Sequence, residues 1–313
     1  MNPPFHFVFC GTPRFAVPTL EALVRAGFTV DLVVTQPDKP KGRGMEMSLS
    51  PVKQSALALN LPLAQPEKIK NNREFRAQLE ALRPEAIVVV GYGRIIPQWM
   101  IDLPPMGNLN LHASLLPKYR GAAPIQWALA CGETVTGVTI MRIDAGLDTG
   151  DILRLSALNI NSDDTSETLA PKLAAIGADL MVETLLEFRA GTIHPQAQNH
   201  GSASLAPILR KEDGHIDFQR SAGEIHNRLR GFQPWPGAFT QFRGKQLVIC
   251  SAKITDRNLS PSPGSLFVEG TQLFAACAHS SLELLEVQPE GRKRMSARDF
   301  INGYRPQPNE RLG

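Results

Sequence analysis

Two short stretches of the chain carry side chains that could do acid–base chemistry together. Asn110-Leu111-His112-Ala113-Ser114-Leu115-Leu116-Pro117 supplies an amide and an imidazole two residues apart. In a strand that spacing sends both to one side of the sheet and Leu111 to the other. The amide can donate to an oxygen gaining negative charge, and an imidazole of ordinary pKa about 6.5 can exchange a proton near neutrality. The second stretch, Met141 to Asp151, is a Gly-rich loop holding Asp144, Asp148 and Asp151. A carboxylate beside an imidazole nitrogen fixes the ring's tautomer. Spacing alone does not choose among the three acids. A His and an Asn that only satisfy loop backbone, and acidic turns flanked by glycine, are the plain alternatives.

Other chemistries lack their signatures. Ser114 invites comparison with a nucleophile, but no GxSxG elbow surrounds it. The turn Gly11-Thr12-Pro13-Arg14 is not GxGxxG, which argues against a nicotinamide dehydrogenase, and Gly42-Arg43-Gly44 lacks the GK[ST] ending of a P-loop. Cys10, Cys131, Cys250 and Cys277 are scattered, without a CxxC pair or a neighbouring His. They read as small apolar core residues in a reducing compartment, with no disulfide framework and no metal site.

The elements that must position these residues alternate between apolar runs and amphipathic segments, the pattern of a mostly parallel sheet with helices on both faces. Strands are expected at Phe5–Cys10, Val30–Thr35, Ala86–Val90, Asn108–His112 and Val138–Ile143, with helices through about Ala26, at Arg73–Leu82 and at Pro124–Ala130. In such Rossmann-like α/β sheets ligands sit beyond the carboxyl ends of the strands, where Asn110 and His112 fall. Consecutive strands are often neighbours, which would bring the acidic loop alongside. A long helix from about Thr165 to Phe188 has Asp164 and Glu167 as its start and a stripe of Leu169, Leu173, Ile176, Leu180 and Leu185. Residues 192–207, rich in His, Gln, Ser and Pro, read as a linker. Beyond it come a helix at Ser221–Arg230, capped by Ser221 with Glu224, and short strands at Ala238–Phe242, Gln246–Ser251, Ser265–Val268, Leu273–Ala276 and Leu282–Val287. Close spacing of short strands points to a small sheet or barrel. The expected division is 1–191, a linker over 192–207, and 208–313.

A chain of 313 residues, 42% hydrophobic and 20% charged, can fill two globular cores. It has no apolar run of membrane-spanning length and its first residues lack a secretory pattern, so a cytoplasmic protein without a membrane partner is expected. Net charge is +3; residues 205–313 carry 15 Lys+Arg against 11 Asp+Glu, and the remainder 18 against 19. The imbalance hints at a polyanionic partner for the C-terminal part. The segment Asp38–Pro51 carries Lys39, Lys41 and Arg43 with almost no strand or helix pattern, and loops of that kind are usually functional or disordered. Trp235, between Pro234 and Pro236, is read as a packing anchor between domains.

The run from Asn110 to Pro117, Arg120-Gly121-Ala122-Ala123-Pro124-Ile125, and Gly146-Leu147-Asp148-Thr149-Gly150-Asp151 resemble the 10-formyltetrahydrofolate-dependent formyltransferases. Further matches resemble the methionyl-tRNA formyltransferases among them: Phe9-Cys10-Gly11-Thr12-Pro13, Gln36-Pro37-Asp38-Lys39 through Gly42-Arg43-Gly44 to Ser50-Pro51-Val52-Lys53, Pro234-Trp235-Pro236-Gly237-Ala238-Phe239, and Met295-Ser296-Ala297-Arg298-Asp299. Lys118 and Tyr119 stand where Arg and Trp are frequent; Lys keeps the charge but not Arg's bidentate donors.

The resemblance implies formyl transfer from 10-formyltetrahydrofolate to the amino group of methionine on initiator tRNA, by a monomer, with Asn110, His112 and Asp148 as the catalytic set. It implies folate contacts from Ser114, Leu115, Leu116 and Pro117, with Gly91 and Tyr92 in the same cleft. It also implies an OB-like C-terminal barrel, a basic loop in which Arg43 reads the end of the acceptor stem, and tRNA contacts from Lys39, Lys41, Lys245, Arg292, Lys293 and Arg294. Formyl transfer to a small amine, or RNA binding without catalysis, are the competing readings; the second leaves Asn110, His112 and Asp148 without a purpose.

Overall fold

The computed structural model describes residues 5–41, 46–255, 257, 262–307 and 310–313, and the chain folds into two compact units. Unit 1 comprises residues up to Pro124 with 135–159 and 170–207; unit 2 comprises 125–134, 160–169 and 208–313. The expected first region, 1–191, therefore lends two segments to the second unit.

Unit 1 is built on strands β1 (His6–Gly11), β2 (Thr29–Val34), a short hairpin β3 (Lys39–Lys41) and β4 (Glu46–Ser48), β5 (Leu63–Ala64), β6 (Ala86–Val90), β7 (Asn108–His112), β8 (Val135–Arg142) and β9 (Ile152–Asn159). Its helices are α1 (Val17–Arg25), α2 (Pro51–Ala58), α3 (Arg73–Leu82) and α4 (Gln98–Ile101). The main sheet has the order β5-β2-β1-β6-β7-β8-β9. It is parallel from β5 through β7, and β8 and β9 are antiparallel additions. Successive strands are added to one side of β1 as far as β5 and to its other side from β6 onward. A switch of that kind is where α/β sheets open a crevice.

Alternation along the central strands builds a core on each face. Val8, Cys10, Leu32, Val34, Ile87 and Val89 pack with Phe75 and Leu79 of α3 and Met100 of α4. On the opposite side Leu111 abuts Gly177 of α6 (Ser166–Ala190), where a Cβ would lie 2.6 Å from a leucine methyl. Each fully buried Leu, Ile or Phe adds roughly 1.5–3 kcal/mol relative to exposure, so the two faces lock β6 and β7 between layers.

Four readings change. The Asp38–Pro51 segment is not patternless: Lys39 pairs with Ser48, Pro40 with Met47 and Lys41 with Glu46 in the β3–β4 hairpin. Ser50 caps α2 by accepting from the Lys53 N–H. Strand β9 has no counterpart among the expected strands: only Ile152 and Leu153 are buried, and beyond them the half-buried positions include Arg154 and Ser156 while Leu155 and Ala157 are exposed, so no apolar face runs its length. The start of α6 is a reciprocal pair one residue along from the expected one, Thr165 with Thr168, while Asp164 accepts from the Asn161 N–H and the Thr168 hydroxyl. Of the cysteines, all free, Cys10 and Cys277 are buried and burial pushes both thiols upward, that of Cys277 to about 12, but Cys131 is exposed.

Unit 2 contains residues 125–134 of α5 (Pro124–Ala130) and its turn, α7 (Ala222–Gly231), β10 (Ala238–Phe242), β11 (Lys245–Thr255), β12 (Leu266–Glu269), β13 (Gln272–Ala276), β14 (Ser281–Pro289), β15 (Met295–Ser296) and α8 (Ala297–Tyr304). Helix α7 starts as expected, with Ser221 and Glu224 in a reciprocal box. Its sheet is antiparallel, in the order β10-β11-β14-β13-β12 with β15 beside β14. Among the described residues these pairings form an open path, and β11 bends at register shifts around Ser251. Arg243 and Gly244, at φ 51° and 72°, make the tight β10–β11 turn that right-handed strand twist favours. Trp235 is 56% exposed and so is no packing anchor; the packed indole of this unit is Trp127, edge-on to Phe232.

Candidate active site

Asn110 and His112 share a face of β7 because they are two residues apart, and the register aligns Asn110 with Val89, away from α6. Asn108 lies on that face too and looks equivalent in sequence, yet the two asparagines behave differently. The Asn108 amide donates to the carbonyls of Met100 and Ile101, which fastens β7 to α4. Asn110 is half-buried, and its carboxamide has no hydrogen bond among the described residues. It is the free donor of the pair.

His112 is 5% exposed, and its Nε2 lies 2.9 Å from the Tyr119 carbonyl oxygen. A carbonyl can only accept, so the proton is assigned to Nε2 and the lone pair of the neutral ring to Nδ1. Nδ1 stands 3.6 Å from Asp148 Oδ2, beyond a normal hydrogen bond. Asp148 Oδ2 itself accepts from the Gly121 N–H at 2.8 Å. Both ring nitrogens thus face oxygen acceptors, an arrangement that can hold a second ring proton when one arrives.

Geometry separates the three acids. Asp144 is exposed and closes its own turn, accepting from the Gly146 N–H and the Thr149 hydroxyl. Asp151 uses its carbonyl to bind the Arg142 N–H. Only Asp148 lies beside His112. How it arrives there differs from the expectation: β8 runs antiparallel to β7, with Arg142 opposite Leu109 and Thr139 opposite His112. The chain therefore leaves β8 level with the start of β7, and the loop must double back along the sheet to bring Asp148 to His112. Asp148 takes a left-handed φ of 51° in doing so.

The turn after β7 is held from beneath. Thr139 Oγ1 donates to the Ser114 carbonyl at 2.7 Å and accepts from the Leu116 N–H at 3.1 Å. Nothing in the sequence singled out Thr139; its only signal is a hydroxyl opposite His112 in the strand pairing.

Several residues expected at the folate cleft are placed otherwise. Ser114 is fully buried and its hydroxyl donates to the Lys118 carbonyl, so it offers neither a nucleophile nor a side-chain contact to a ligand. Leu116, 4% exposed, packs with Met141 and Ile152, and Leu115 lies against Gly137. Tyr92 is 1% exposed in the core that includes Cys10, and burial pushes its phenol upward; what it offers outward is a carbonyl, which accepts from Thr12 and Gln36. Gly91 is exposed at φ 55° with Pro13 against it, and Pro117 is half-buried. Two apolar residues that sequence reasoning missed are Ile95, 92% exposed in the loop after β6, and Leu147, exposed in the Asp148 loop. No sequence signal distinguishes them, since their exposure is set by the fold.

The basic candidates are unequal. Lys39 is exposed, Lys41 lies in β3, and Arg43 falls outside the described residues. Lys53, at the root of the hairpin, is committed to Asp38 at 2.5 Å and Gln65 at 2.7 Å, and this contact holds the Asp38 carboxyl below its ordinary range. In unit 2, Lys245, Arg292 and Lys293 are exposed, while Arg294 is exposed and paired with Glu286. Arg243 is spent on Glu310 and the Tyr304 carbonyl. Among the described residues no group of three or more His, Cys, Asp or Glu could hold a metal ion, and no helix is long and apolar enough to cross a membrane.

Comparison with known proteins bears on this site. A family model for formyl transferase matches residues 5–185, and one for the formyl transferase C-terminal domain matches 208–305. A methionyl-tRNA formyltransferase of Koribacter versatilis is 67% identical over 98% of this chain and 98% of its own. One from Acidobacterium capsulatum is 61% identical over 98% of this chain and 99% of its own. Among solved structures, an N-formyltransferase of Helicobacter canadensis, in complex with folinic acid and dTDP-3-aminofucose, aligns with a TM-score of 0.67 at 19% identity, covering 91% of this chain and 99% of that one. At that identity the likeness concerns the fold.

Proposed function

The chain belongs to the methionyl-tRNA formyltransferase family, and from that premise we propose that it moves the formyl group of 10-formyltetrahydrofolate onto the amino group of methionine carried by initiator tRNA. The observation that carries the chemical half of this reading is the free amide of Asn110 beside an imidazole whose Nδ1 faces Asp148. The neutral amine attacks the formyl carbon, a carbon–nitrogen bond forms, and the formyl oxygen gains negative charge. Asn110 donates to that oxygen, the interaction that strengthens as the charge develops. The amine's proton passes to Nδ1 of His112, the nitrogen left with a lone pair. The resulting imidazolium is flanked by the Tyr119 carbonyl and Asp148. As the bond from carbon to the folate nitrogen breaks, that proton is the nearest at hand for the leaving nitrogen.

The folate would lie along the ends of β6 and β7, against Gly91, the backbone of Tyr92, Leu115, Pro117, Ile95 and Leu147, with Ser114 and Leu116 shaping the turn from behind. The segment Asp38–Pro51, with Lys39, Lys41 and Arg43 in its sequence, would meet the acceptor end of the tRNA, and Asp38, Lys53 and Gln65 are bonded to one another at its root. A basic arm of this kind orders against phosphates and unpaired bases. Residues 208–313 would supply further phosphate contacts through Lys245, Arg292, Lys293 and Arg294. The protein would act as a monomer in the cytoplasm. Incubation with 10-formyltetrahydrofolate and charged initiator tRNA, beside a small-amine acceptor, tests the proposal: N-formylmethionyl-tRNA should form and the small amine should remain unmodified. Transfer to the amine alone would overturn it.

A further inference from the structure

Residues 192–207 read as a connector by composition, yet they belong to unit 1 and are bonded into it. Gln196 exchanges two backbone hydrogen bonds with Ile152, and Ser204 and Ala206 bracket Arg120 through its N–H and carbonyl. The centre of this segment is Gln198, 6% exposed, whose carboxamide is used at both ends. Its Oε1 accepts from Arg120 Nε at 3.1 Å and Nη2 at 2.6 Å. Its Nε2 donates to the carbonyl oxygens of Asp148 at 3.0 Å and Gly150 at 2.7 Å.

Chemistry explains why an amide stands here. Arg120 is 7% exposed, and among the described residues its guanidinium meets no carboxylate, only Gln198 and Nδ1 of His200. Opposite a buried guanidinium a glutamate would be electrostatically better. A glutamate, however, would set a carboxylate oxygen against two carbonyl oxygens at its other end. The position needs an acceptor on one side and a donor on the other, which glutamine supplies.

What the donor end holds is the part of the loop that has least reason to stay in place. Asp148 is held at a left-handed φ, and a Cβ at Gly150 would overlap the Arg142 carbonyl. The loop's internal bonds, from Gly146 and Thr149 to Asp144, close its outer turn without reaching the Asp148 backbone. The same segment also fixes the partner of the carboxylate: Gly121, whose N–H binds Asp148, is packed against the Ala206 carbonyl. We infer that Gln198 is a positioning residue, a buried two-ended clamp between Arg120 and the Asp148 loop that sets where the Asp148 carboxylate stands relative to His112. It touches neither substrate.

The inference rests on the proposed chemistry, and the test separates the two. Single-turnover formylation and thermal unfolding are measured for wild type, Gln198→Glu and Gln198→Asn. The first keeps the Arg120 contact and loses the donor; the second keeps both groups on a stem too short to reach both ends. Each should slow the chemical step on the order of tenfold to a hundredfold, the weight of one or two ordinary hydrogen bonds. KM for folate and tRNA should stay within about twofold, since no substrate contact is removed. In an Asp148→Asn background the same substitutions should cost less than about threefold, because the group they position is gone. Amide exchange over residues 143–151 should quicken in both variants while exchange over β6 is unchanged. A Gln198→Glu enzyme at the wild-type rate, or an equal loss with and without Asp148, overturns the positioning role. Unchanged exchange overturns it even if the wild type transfers no formyl group, a result that would refute the proposed function instead.

Discussion

Replacing Asp148 by Asn isolates the charge of one carboxylate. Asparagine keeps the shape, tolerates the left-handed φ of 51°, and retains an oxygen for the Gly121 N–H. What disappears is the attraction between the carboxylate and a proton arriving on His112 Nδ1, 3.6 Å away. For unit charges at that distance the interaction is roughly 4–5 kcal/mol at an effective dielectric of about 20 and about 1 kcal/mol at that of water. The Asp148 side chain is 16% exposed and that of His112 6%, so partial screening applies. A value of about 2–3 kcal/mol follows, equivalent to a rate loss on the order of a hundredfold. Because the imidazolium forms only along the reaction, the loss belongs in the rate of the chemical step and not in KM. The assay is rapid-quench formylation of charged initiator tRNA at saturating 10-formyltetrahydrofolate. A loss under about threefold, or one carried wholly by KM, would refute the role given to the carboxylate.

Asn110→Ala removes an amide that makes no hydrogen bond among the described residues and should lower the single-turnover rate by about a hundredfold to a thousandfold, with thermal stability nearly unchanged. Arg43→Ala should weaken formylation of tRNA at least about tenfold while folate affinity by titration is unaltered; equal loss of both would remove the basic segment Asp38–Pro51 from RNA recognition. Burial, and after it Arg230, lowers the His226 pKa from its ordinary 6.5, against a hydrogen bond with the Ala252 backbone. Neutral His226 therefore contributes stability that is complete above 6.5 and shrinks as pH falls toward the lowered folded value. The unfolding midpoint should decrease from about pH 7 to about pH 5, and less so in His226→Asn; identical slopes would contradict this.

Much of the fold is legible because strands and helices buried on both sides announce themselves. Ala86–Val90 is an apolar run and Asn108–His112 alternates polar with leucine, each bounded by turn residues, and the structure gives them those same limits. Asn110 and His112 then share a face by period alone. Three features are not legible, each because a distant partner decides it. Strand β9 is an edge strand in which polar Arg154 and Ser156 take the half-buried positions and Leu155 and Ala157 the exposed ones, so its pattern reverses the usual alternation. The antiparallel entry of β8 is invisible to local pattern, so the doubling back of the Asp148 loop could not be foreseen. Residues 192–207 lack apolar periodicity since they are held by backbone bonds to Pro117–Ala123 and Ile152 and by the Gln198 carboxamide, not by a hydrophobic face. Ser114 and Tyr92 are polar residues of the kind that look like ligand contacts, and the structure buries both side chains, which a sequence does not reveal.

The claim that joins these observations is that His112 carries the proton released by methionyl-tRNA. It is tested most directly by single-turnover formyl transfer with folded His112→Ala, rescued by added imidazole. The account predicts a rate at least about a hundredfold below wild type that rises with imidazole concentration and with its free-base fraction. Transfer at the wild-type rate by that variant would contradict it.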